Sequence, residues 1–235
     1  GIESTVIWLF GKLKKVTSHM PEGLDALNAQ RKLLKIIAGV LMHVLIDMEE
    51  DLSPEDRRRK LEEAIRLGYS YGLTYPFIDG LLDARILSSE ETEQYSSLIR
   101  TALITGTVPE LDRWEGANEE LIRFIHGELS EAFACIKAHQ RPELLESFFG
   151  QAYVFFQSQE EDRQKILSYG NYSNEELYIP VILKSSSSRL IVRSVIGAPA
   201  DEGFDSRTFY YGIYNQLADD FADMFDDLEE GAVTP

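Results

Sequence analysis

Apolar residues recur at helical spacing along almost the whole chain. The stretch 27–48, LNAQRKLLKIIAGVLMHVLIDM, shows this pattern well. Alternating apolar and polar runs bounded by Asn-Gly or Asp-Gly turns, which are typical of β-hairpins, are missing from the sequence. The one Asp-Gly pair, Asp79-Gly80, lies inside a helical stretch. The pattern predicts an all-α protein.

Polar residues at the expected positions mark several helix starts. Ser53 is followed by Pro54, which suits the first helical position, and by Asp56 three residues after the cap. Ser173 is followed by Glu176, which is the spacing of a capping box. At 235 residues the chain is long enough for one large domain with a full core. We therefore predict a single domain over residues 1–235.

The last predicted helix, from about Asp205 to Glu229, carries an unusual density of carboxylates. At about 100° per residue, its polar residues on one side are Gln216, Asp219, Asp220, Asp223 and Asp227. The apolar residues about a quarter turn away, which are predicted to face the core, are Ile213, Leu217, Phe221 and Met224. Like charges four residues apart repel each other. The acidic side is either a solvated surface or a site for a divalent cation such as Mg²⁺.

Two other segments carry matching chemistry. Asp79 and Asp83 are four residues apart on one predicted helical face, and Arg85 follows shortly after. Lys184 precedes four serines in an otherwise apolar segment, so its ammonium and the neighbouring hydroxyls could bind phosphate. Ordinary explanations are an exposed acidic pair and a lysine beside small packing residues.

The composition narrows the functional classes. The net charge of −17, from 40 acidic and 23 basic residues, argues against a nucleic-acid partner and against binding to anionic membranes. The single cysteine, Cys135, permits no disulfide framework, which favours the cytoplasm. The apolar run 36–46 is too short to span a bilayer, and the first residues lack a signal-peptide pattern. We expect a soluble, cytoplasmic protein with no transmembrane segment.

The motifs together resemble those of the all-trans polyprenyl diphosphate synthases. The segment GIYNQLADDFAD, residues 212–223, is similar to the second aspartate-rich motif of that family. Upstream, the family's order is followed by Gly150-Gln151, by the segment 175–178, by Lys184-Ser185 and by Gly197-Ala198. The similarity covers roughly residues 60–235.

The resemblance implies a class I isoprenoid synthase, which is an all-α bundle around a central apolar cavity. In that family, Mg²⁺ bridges two aspartate motifs to an allylic prenyl diphosphate, whose ionisation gives a carbocation that isopentenyl diphosphate attacks. The metal ligands carried over by position are Asp79, Asp83, Asp219, Asp220 and Asp223. The catalytic and diphosphate-binding residues carried over are Lys184 and Gln216, with Arg85 as a further substrate contact.

The sequence also departs from the family in ways that keep alternatives open. The first motif has Gly80 where the elongating enzymes have a second aspartate, and the usual Arg-Arg-Gly is reduced to Arg85. Residues 29–35 are only weakly similar to the segment that binds isopentenyl diphosphate in the family. A terpene cyclase or a squalene- or phytoene-type head-to-head synthase is therefore the alternative to a trans-prenyltransferase. A non-catalytic subunit that binds a prenyl chain or an active partner is the second alternative.

The resemblance carries further expectations about product and assembly. Residues four and five positions before the first motif line the pocket for the growing chain in the family; here they are Tyr75 and Thr74. A tyrosine at that position implies a short substrate or product, of the geranyl to geranylgeranyl class. The alternative is that Tyr75 is an ordinary packing residue of a helix. Relatives often form homodimers and continue with further helices after the second motif, so we expect a homodimer and a domain that lacks its C-terminal helices.

Overall fold

The described part of the chain consists of helices and the segments that connect them. The computed structural model describes residues 1–166, 169–195 and 202–230, and all side chains there except those of residues 75, 76, 79, 202, 226–228 and 230. The helices are α1 (Ile2–His19), α2 (Ala26–Ile46), α3 (Pro54–Gly72), a π-helix (Tyr75–Gly80), α4 (Leu81–Asp83), α5 (Ser89–Thr105), α6 (Glu119–His139), α7 (Pro142–Arg163), α8 (Asn174–Val195) and α9 (Glu202–Glu230). No strand occurs in the described ranges, so the predicted all-α class is confirmed. None of the described helices combines the length and apolar character needed to cross a membrane.

The helix starts follow the local chemistry of the sequence. Ser53 caps α3, with Pro54 at the first helical position, and its Oγ accepts the Asp56 N–H at 3.1 Å. Ser173 and Glu176 form the predicted capping box before α8, with donor–acceptor distances of 3.2 Å and 2.7 Å. These predictions are confirmed because a cap depends only on residues within one turn.

The chain divides into two compact units, Gly1–Leu145 and Glu146–Pro235, and each is described by itself. In the first unit α3 is the central helix and packs against α1, α2 and α6. Its second half is buried on nearly all sides, at Ala64, Ile65, Leu67, Gly68, Tyr69, Ser70, Tyr71 and Gly72. Gly68 permits the close approach of α2, because a Cβ at this position would lie 2.9 Å from the Cα of Ile37. The single-domain organisation stays a prediction.

In the second unit α8 and α9 pack against each other through small residues and polar bonds. Ser185 Oγ donates to the carbonyl of Gly212 at 2.8 Å, and Ser186 Oγ donates to the carbonyl of Phe209 at 3.1 Å. Farther along, Arg193 pairs with Asp205. Rising numbers in α8 pair with falling numbers in α9, so the two helices are antiparallel. The serines after Lys184 therefore hold α9 in place, which confirms the packing interpretation for Ser185 and Ser186.

The predicted core face of α9 is wrong. Leu217, Phe221 and Met224 are exposed, and Phe221 keeps 78% of its surface in contact with solvent. The face that meets α8 instead contains Phe209 and Gly212, about a quarter to a half turn away around the helix. The physical reason is that serine hydroxyls and a glycine allow the two backbones to approach closely, so small residues form this contact in place of large apolar ones.

Replacing Gly212 with alanine is expected to lower the free energy of unfolding by about 1–3 kcal/mol. A Cβ there would lie 3.0 Å from both the Ser185 carbonyl oxygen and the Ser186 Cα, which are backbone atoms that cannot rotate away. Chemical denaturation followed by circular dichroism would measure the loss. The matched control is Gly150→Ala on α7, where no atom lies within 4 Å of the added Cβ and a gain of up to about 1 kcal/mol is expected. Equal stability of the two variants would contradict the close contact between α8 and α9.

Candidate functional site

The acidic residues of α9 continue the face that packs on α8. Asp219, Asp220 and Asp223 follow Gly212 by seven, eight and eleven positions, which is the spacing of one helical face. Asp219 and Asp223 are exposed, whereas Asp220 is half-buried. Gln216, also on this face, donates from Nε2 to the Asp220 Oδ1 at 2.7 Å. The polar side of α9 predicted from the sequence is therefore present, with Gln216 bonded to one of its carboxylates.

Lys184 lies on α8 directly before the serine contact with α9. Because the helices are antiparallel, the chain of α9 beyond Gly212 runs past the part of α8 that contains and precedes Lys184. The Lys184 side chain is half-buried. Among the described residues it makes no ion pair, although the protein carries a large excess of acidic groups. A lysine in such a position can bind an anion without first breaking an internal salt bridge.

The first aspartate pair lies where the backbone changes helical type. Asp79 belongs to the π-helix Tyr75–Gly80, and Asp83 is the last residue of α4. Short π-helical segments are frequent at functional sites because the wider turn re-orients side chains and backbone carbonyls. One such carbonyl, that of Phe77, accepts the hydroxyl of the fully buried Tyr95. The Asp83 side chain is exposed, and the Asp79 side chain lies outside the described residues.

The remaining predicted residues of the first unit have varied environments. Arg85 is exposed and has a φ of 51°, a left-handed conformation that ends the short helix α4. The Thr74 hydroxyl donates to the Tyr71 carbonyl at 2.6 Å, so it is bonded to the last turn of α3. The side chain of Tyr75, and the pair Gly197-Ala198, lie outside the described residues.

The predicted site residues fall into two sets. Tyr75, Thr74, Asp79, Asp83 and Arg85 belong to the first unit, whereas Lys184, Gln216 and the three aspartates of α9 belong to the second. Within the described side chains, no group of three His, Cys, Asp or Glu residues is arranged to hold a metal ion. The Mg²⁺ site and the facing of the two aspartate sets across a cavity stay predictions.

The pockets in the described part of the chain include two that are open to solvent. One, of about 450 Å³ in the second unit, lies where α7 ends and α8 begins and is lined by residues that include Lys165, Tyr172 and Glu176. The other, of about 620 Å³ in the first unit, lies beside α5 and is bordered by Glu90 and Trp114. Neither pocket is lined by a predicted site residue, and the central apolar cavity stays a prediction.

The first unit contains a buried ionic cluster that was not predicted from the sequence. Glu128 of α6 is buried, and its carboxylate accepts bonds from Lys12 at 3.1 Å, Lys15 at 2.9 Å and the Tyr69 hydroxyl at 3.1 Å. Lys12 also donates to Glu131 at 2.6 Å. The available signal was the position of Glu128, three residues after Ile125 and one before Leu129 on the apolar face of α6. A carboxylate in that position requires a partner.

The groups of this cluster shift one another's pKa values and thereby keep their charge states. Burial acts to raise the pKa of Glu128, but the bonds from Lys15 and Lys12 outweigh it, so the pKa lies below its ordinary value. For Lys12, burial acts in the opposite direction, and the bonds to Glu131 and Glu128 hold its pKa above the ordinary value. Burial and the charge of Glu128 raise the pKa of Tyr69, so the hydroxyl stays protonated. The cluster thus links α1, α3 and α6.

Comparisons of the chain with models of protein families, with curated proteins and with solved structures gave no match.

Proposed function

We propose that this protein uses Mg²⁺ to bind and ionise an allylic prenyl diphosphate, as class I isoprenoid synthases do, with chain elongation by isopentenyl diphosphate as the reaction. The observation that carries the proposal is the joint placement of two features in the second unit. Asp219, Asp220 and Asp223 share the α8-facing side of α9, and Lys184 lies on α8 with no described ion pair. The order of the sequence motifs supplies the class of substrate.

The chemistry of the side chains fits this substrate. Carboxylate oxygens are the ligands that Mg²⁺ prefers, and Asp219 and Asp223 are exposed to receive it. These carboxylates would hold Mg²⁺, and the bound ion would supply positive charge that neutralises the departing diphosphate. Lys184 would stabilise the same negative charge through its ammonium as the carbon–oxygen bond breaks. Gln216 would act indirectly, through Asp220, because its bond to the Asp220 Oδ1 holds that carboxylate in a fixed orientation.

A non-catalytic role is the second candidate, and a specific observation favours it. The exposed side of α9 carries a continuous apolar stripe: Tyr210, Tyr214, Leu217, Phe221 and Met224. A stripe of this kind suits a partner protein or a prenyl chain. Cyclisation or head-to-head condensation stays the alternative reaction for an active enzyme, because the first aspartate motif lacks one carboxylate.

The proposal is tested by incubating the folded protein with Mg²⁺ and geranyl, farnesyl or geranylgeranyl diphosphate, each with and without isopentenyl diphosphate. Diphosphate release is measured and organic products are identified by mass spectrometry. We expect release that EDTA abolishes, and longer diphosphates only when isopentenyl diphosphate is present. Hydrocarbon or alcohol from the allylic substrate alone would assign the cyclase or head-to-head reaction. No release from any substrate, by protein with a full helical circular-dichroism spectrum, would reject the enzyme and favour the non-catalytic role.

A further inference from the structure

The pocket beside α5 is a groove with two walls. One wall is a face of α5 on which four polar residues recur at helical spacing: Glu90, Gln94, Ser97 and Thr101. The other wall is the connection 106–118 between α5 and α6. Gly106, with a φ of 65°, ends α5 and turns the chain, which meets Gln94 again at Glu115. The connection therefore runs back along the helix, and the groove beside it has a volume of about 620 Å³.

Hydrogen bonds fix this second wall in place. The Glu115 N–H donates to the Gln94 Oε1 at 3.2 Å, and the Gln94 Nε2 donates to the Glu115 carbonyl at 2.9 Å. Nearer to Gly106, the Leu111 carbonyl accepts a bond of 3.1 Å from the Arg123 guanidinium of α6. A groove whose walls are already in place costs less entropy to occupy than one that a flexible loop must form.

The lining of the groove combines an apolar floor with an acidic rim. The floor consists of buried and half-buried residues: Leu98, Pro109, Leu111 and Trp114. The rim consists of exposed residues: Glu90, Glu93, Glu110 and Glu115. Arg113, the only basic residue among the described ones that line the groove, pairs with Glu115 at 3.4 Å. The other three carboxylates of the rim make no ion pair with any described side chain.

The two ends of the groove are acidic, and the floor lies between them. Because the connection runs back along α5, Glu110 lies toward Thr101, at the end opposite Glu90 and Glu93. Thr101 follows Glu90 by eleven positions, which is a length of about 17 Å along the helix axis. About five residues of extended chain span the same length.

We propose that the groove binds a basic, extended segment of a partner protein, in which two arginine or lysine residues four positions apart flank an apolar one. Side chains at the first, third and fifth positions of an extended segment point the same way. The two basic side chains would pair with the rim at its two ends, and the apolar one would cover the floor. The carboxylates repel an acidic partner, and a small polycation such as a polyamine would leave the floor uncovered. The groove contains none of the residues assigned to the proposed reaction.

A titration followed by NMR tests the proposal, with the protein isotope-labelled at its tryptophans and the peptide acetyl-Arg-Ser-Leu-Ser-Arg-amide as the probe. Trp114 lies in the floor, whereas Trp8, on α1, does not line the groove. We expect the signal of the Trp114 indole N–H to shift and to approach saturation by about 1 mM peptide, while that of Trp8 stays in place. Replacing the central leucine of the peptide with serine should raise the dissociation constant at least about tenfold, because the apolar contact with the floor is lost.

Two double variants separate the rim from the general acidity of the chain. Glu93→Gln with Glu110→Gln should raise the dissociation constant of the peptide at least about fivefold, because each change removes an ion pair with it. The matched control, Glu49→Gln with Glu50→Gln, changes the net charge by the same amount at exposed positions that do not line the groove. Because salt screens distant charges, the control should leave the dissociation constant within about twofold of the wild-type value.

A further pair of variants tests whether the peptide occupies the groove itself. Ser97→Arg is expected to abolish binding, because the new side chain would fill the groove and pair with the rim. The matched control, Thr92→Arg, lies at an exposed position on the opposite side of α5 and should bind as the wild-type protein does. All the replaced residues are exposed, and circular dichroism verifies that the variants fold.

Each of the remaining outcomes overturns the proposal. If the Trp114 signal does not shift up to about 1 mM peptide, the groove does not bind such a segment. If both tryptophan signals shift equally, or if both double variants weaken binding equally, the overall negative charge attracts the peptide. If the leucine and serine peptides bind equally well, the groove holds cations without using its floor, as it would hold a polyamine. If Ser97→Arg binds unchanged, the peptide lies elsewhere.

Discussion

Replacing Glu91 with glutamine is expected to lower the free energy of unfolding of the first unit by about 3 kcal/mol. Glu91 is only 2% exposed, and its two oxygens accept four hydrogen bonds. The Oε1 atom accepts the Asn118 N–H at 2.8 Å and the Trp114 Nε1–H at 3.2 Å. The Oε2 atom accepts the Ser88 N–H at 3.0 Å and the Asn118 Nδ2–H at 2.9 Å. Glu91 thereby joins the start of α5 to the start of α6.

The expected loss of stability is large because glutamine has nearly the size of glutamate but presents an N–H donor where Glu91 presents an acceptor. All four partners of Glu91 are N–H groups, so the amide nitrogen of glutamine would face two donors and leave them buried without an acceptor. Urea denaturation followed by tryptophan fluorescence measures the change, and both tryptophans, Trp8 and Trp114, lie in the first unit. The control Glu90→Gln removes the same charge at the neighbouring exposed position and should change stability by less than about 0.5 kcal/mol. A similar small effect for both variants would contradict the role of Glu91.

The pH dependence gives a second test of the same residue. Burial acts to raise the pKa of Glu91, but the hydrogen bonds from Ser88, Asn118 and Trp114 outweigh it and lower the pKa from 4.5 to about 2. A carboxyl with a lowered pKa stabilises the fold fully above its unfolded-state value, and that contribution is lost as the pH falls through the folded-state value. The wild-type protein should therefore lose stability relative to Glu91→Gln between about pH 4.5 and pH 2. Both proteins share the other carboxyl groups. Subtracting one curve of stability against pH from the other therefore removes the contribution of those groups.

The helices could be predicted from the sequence because their signals are local. The caps at Ser53 and Ser173 each involve residues within one turn, and both are confirmed. The buried face of α9 could not be predicted in the same way, because it depends on which helix packs against it. The contact of Gly212 with Ser185 joins residues 27 positions apart. Spacing of large apolar residues indicates a stripe, but it does not say whether that stripe meets a neighbouring helix or solvent.

Contacts of polar residues, too, could be predicted only where the partners are close together along the chain. The bond between Gln216 and Asp220 joins residues four apart on one helix, so the sequence placed them together before the structure did. The partners of Glu128 lie more than a hundred positions away, except Tyr69, which is 59 positions away. Such partners become visible only when α1, α3 and α6 are packed. A glutamate within an apolar stripe does indicate that a partner is required, although it does not identify that partner.

Replacing Asp219 or Asp223 with asparagine is expected to lower kcat/KM for the allylic diphosphate by about 10²–10³-fold, if the proposed reaction holds. Both carboxylates are exposed on one face of α9, so their replacement should leave the fold unchanged. Asparagine keeps the size of the side chain but removes the negative charge that binds Mg²⁺. The concentration of Mg²⁺ required for half-maximal activity should rise in parallel by at least about tenfold.

The control for these two variants is Glu229→Gln, which removes one negative charge from the same helix. Glu229 is exposed and lies on another side of α9 from Asp219 and Asp223. If general acidity attracts Mg²⁺, all three variants should lose activity equally, by a small factor that salt abolishes. If the two aspartates bind the ion directly, only their variants should lose it, and calorimetric titration with Mg²⁺ and inorganic diphosphate should show the same order without turnover. If the activities of Asp219→Asn and Asp223→Asn lie within about threefold of that of Glu229→Gln, the carboxylates of α9 take no part in the reaction. Neutralising a direct metal ligand should lower the activity by more than that.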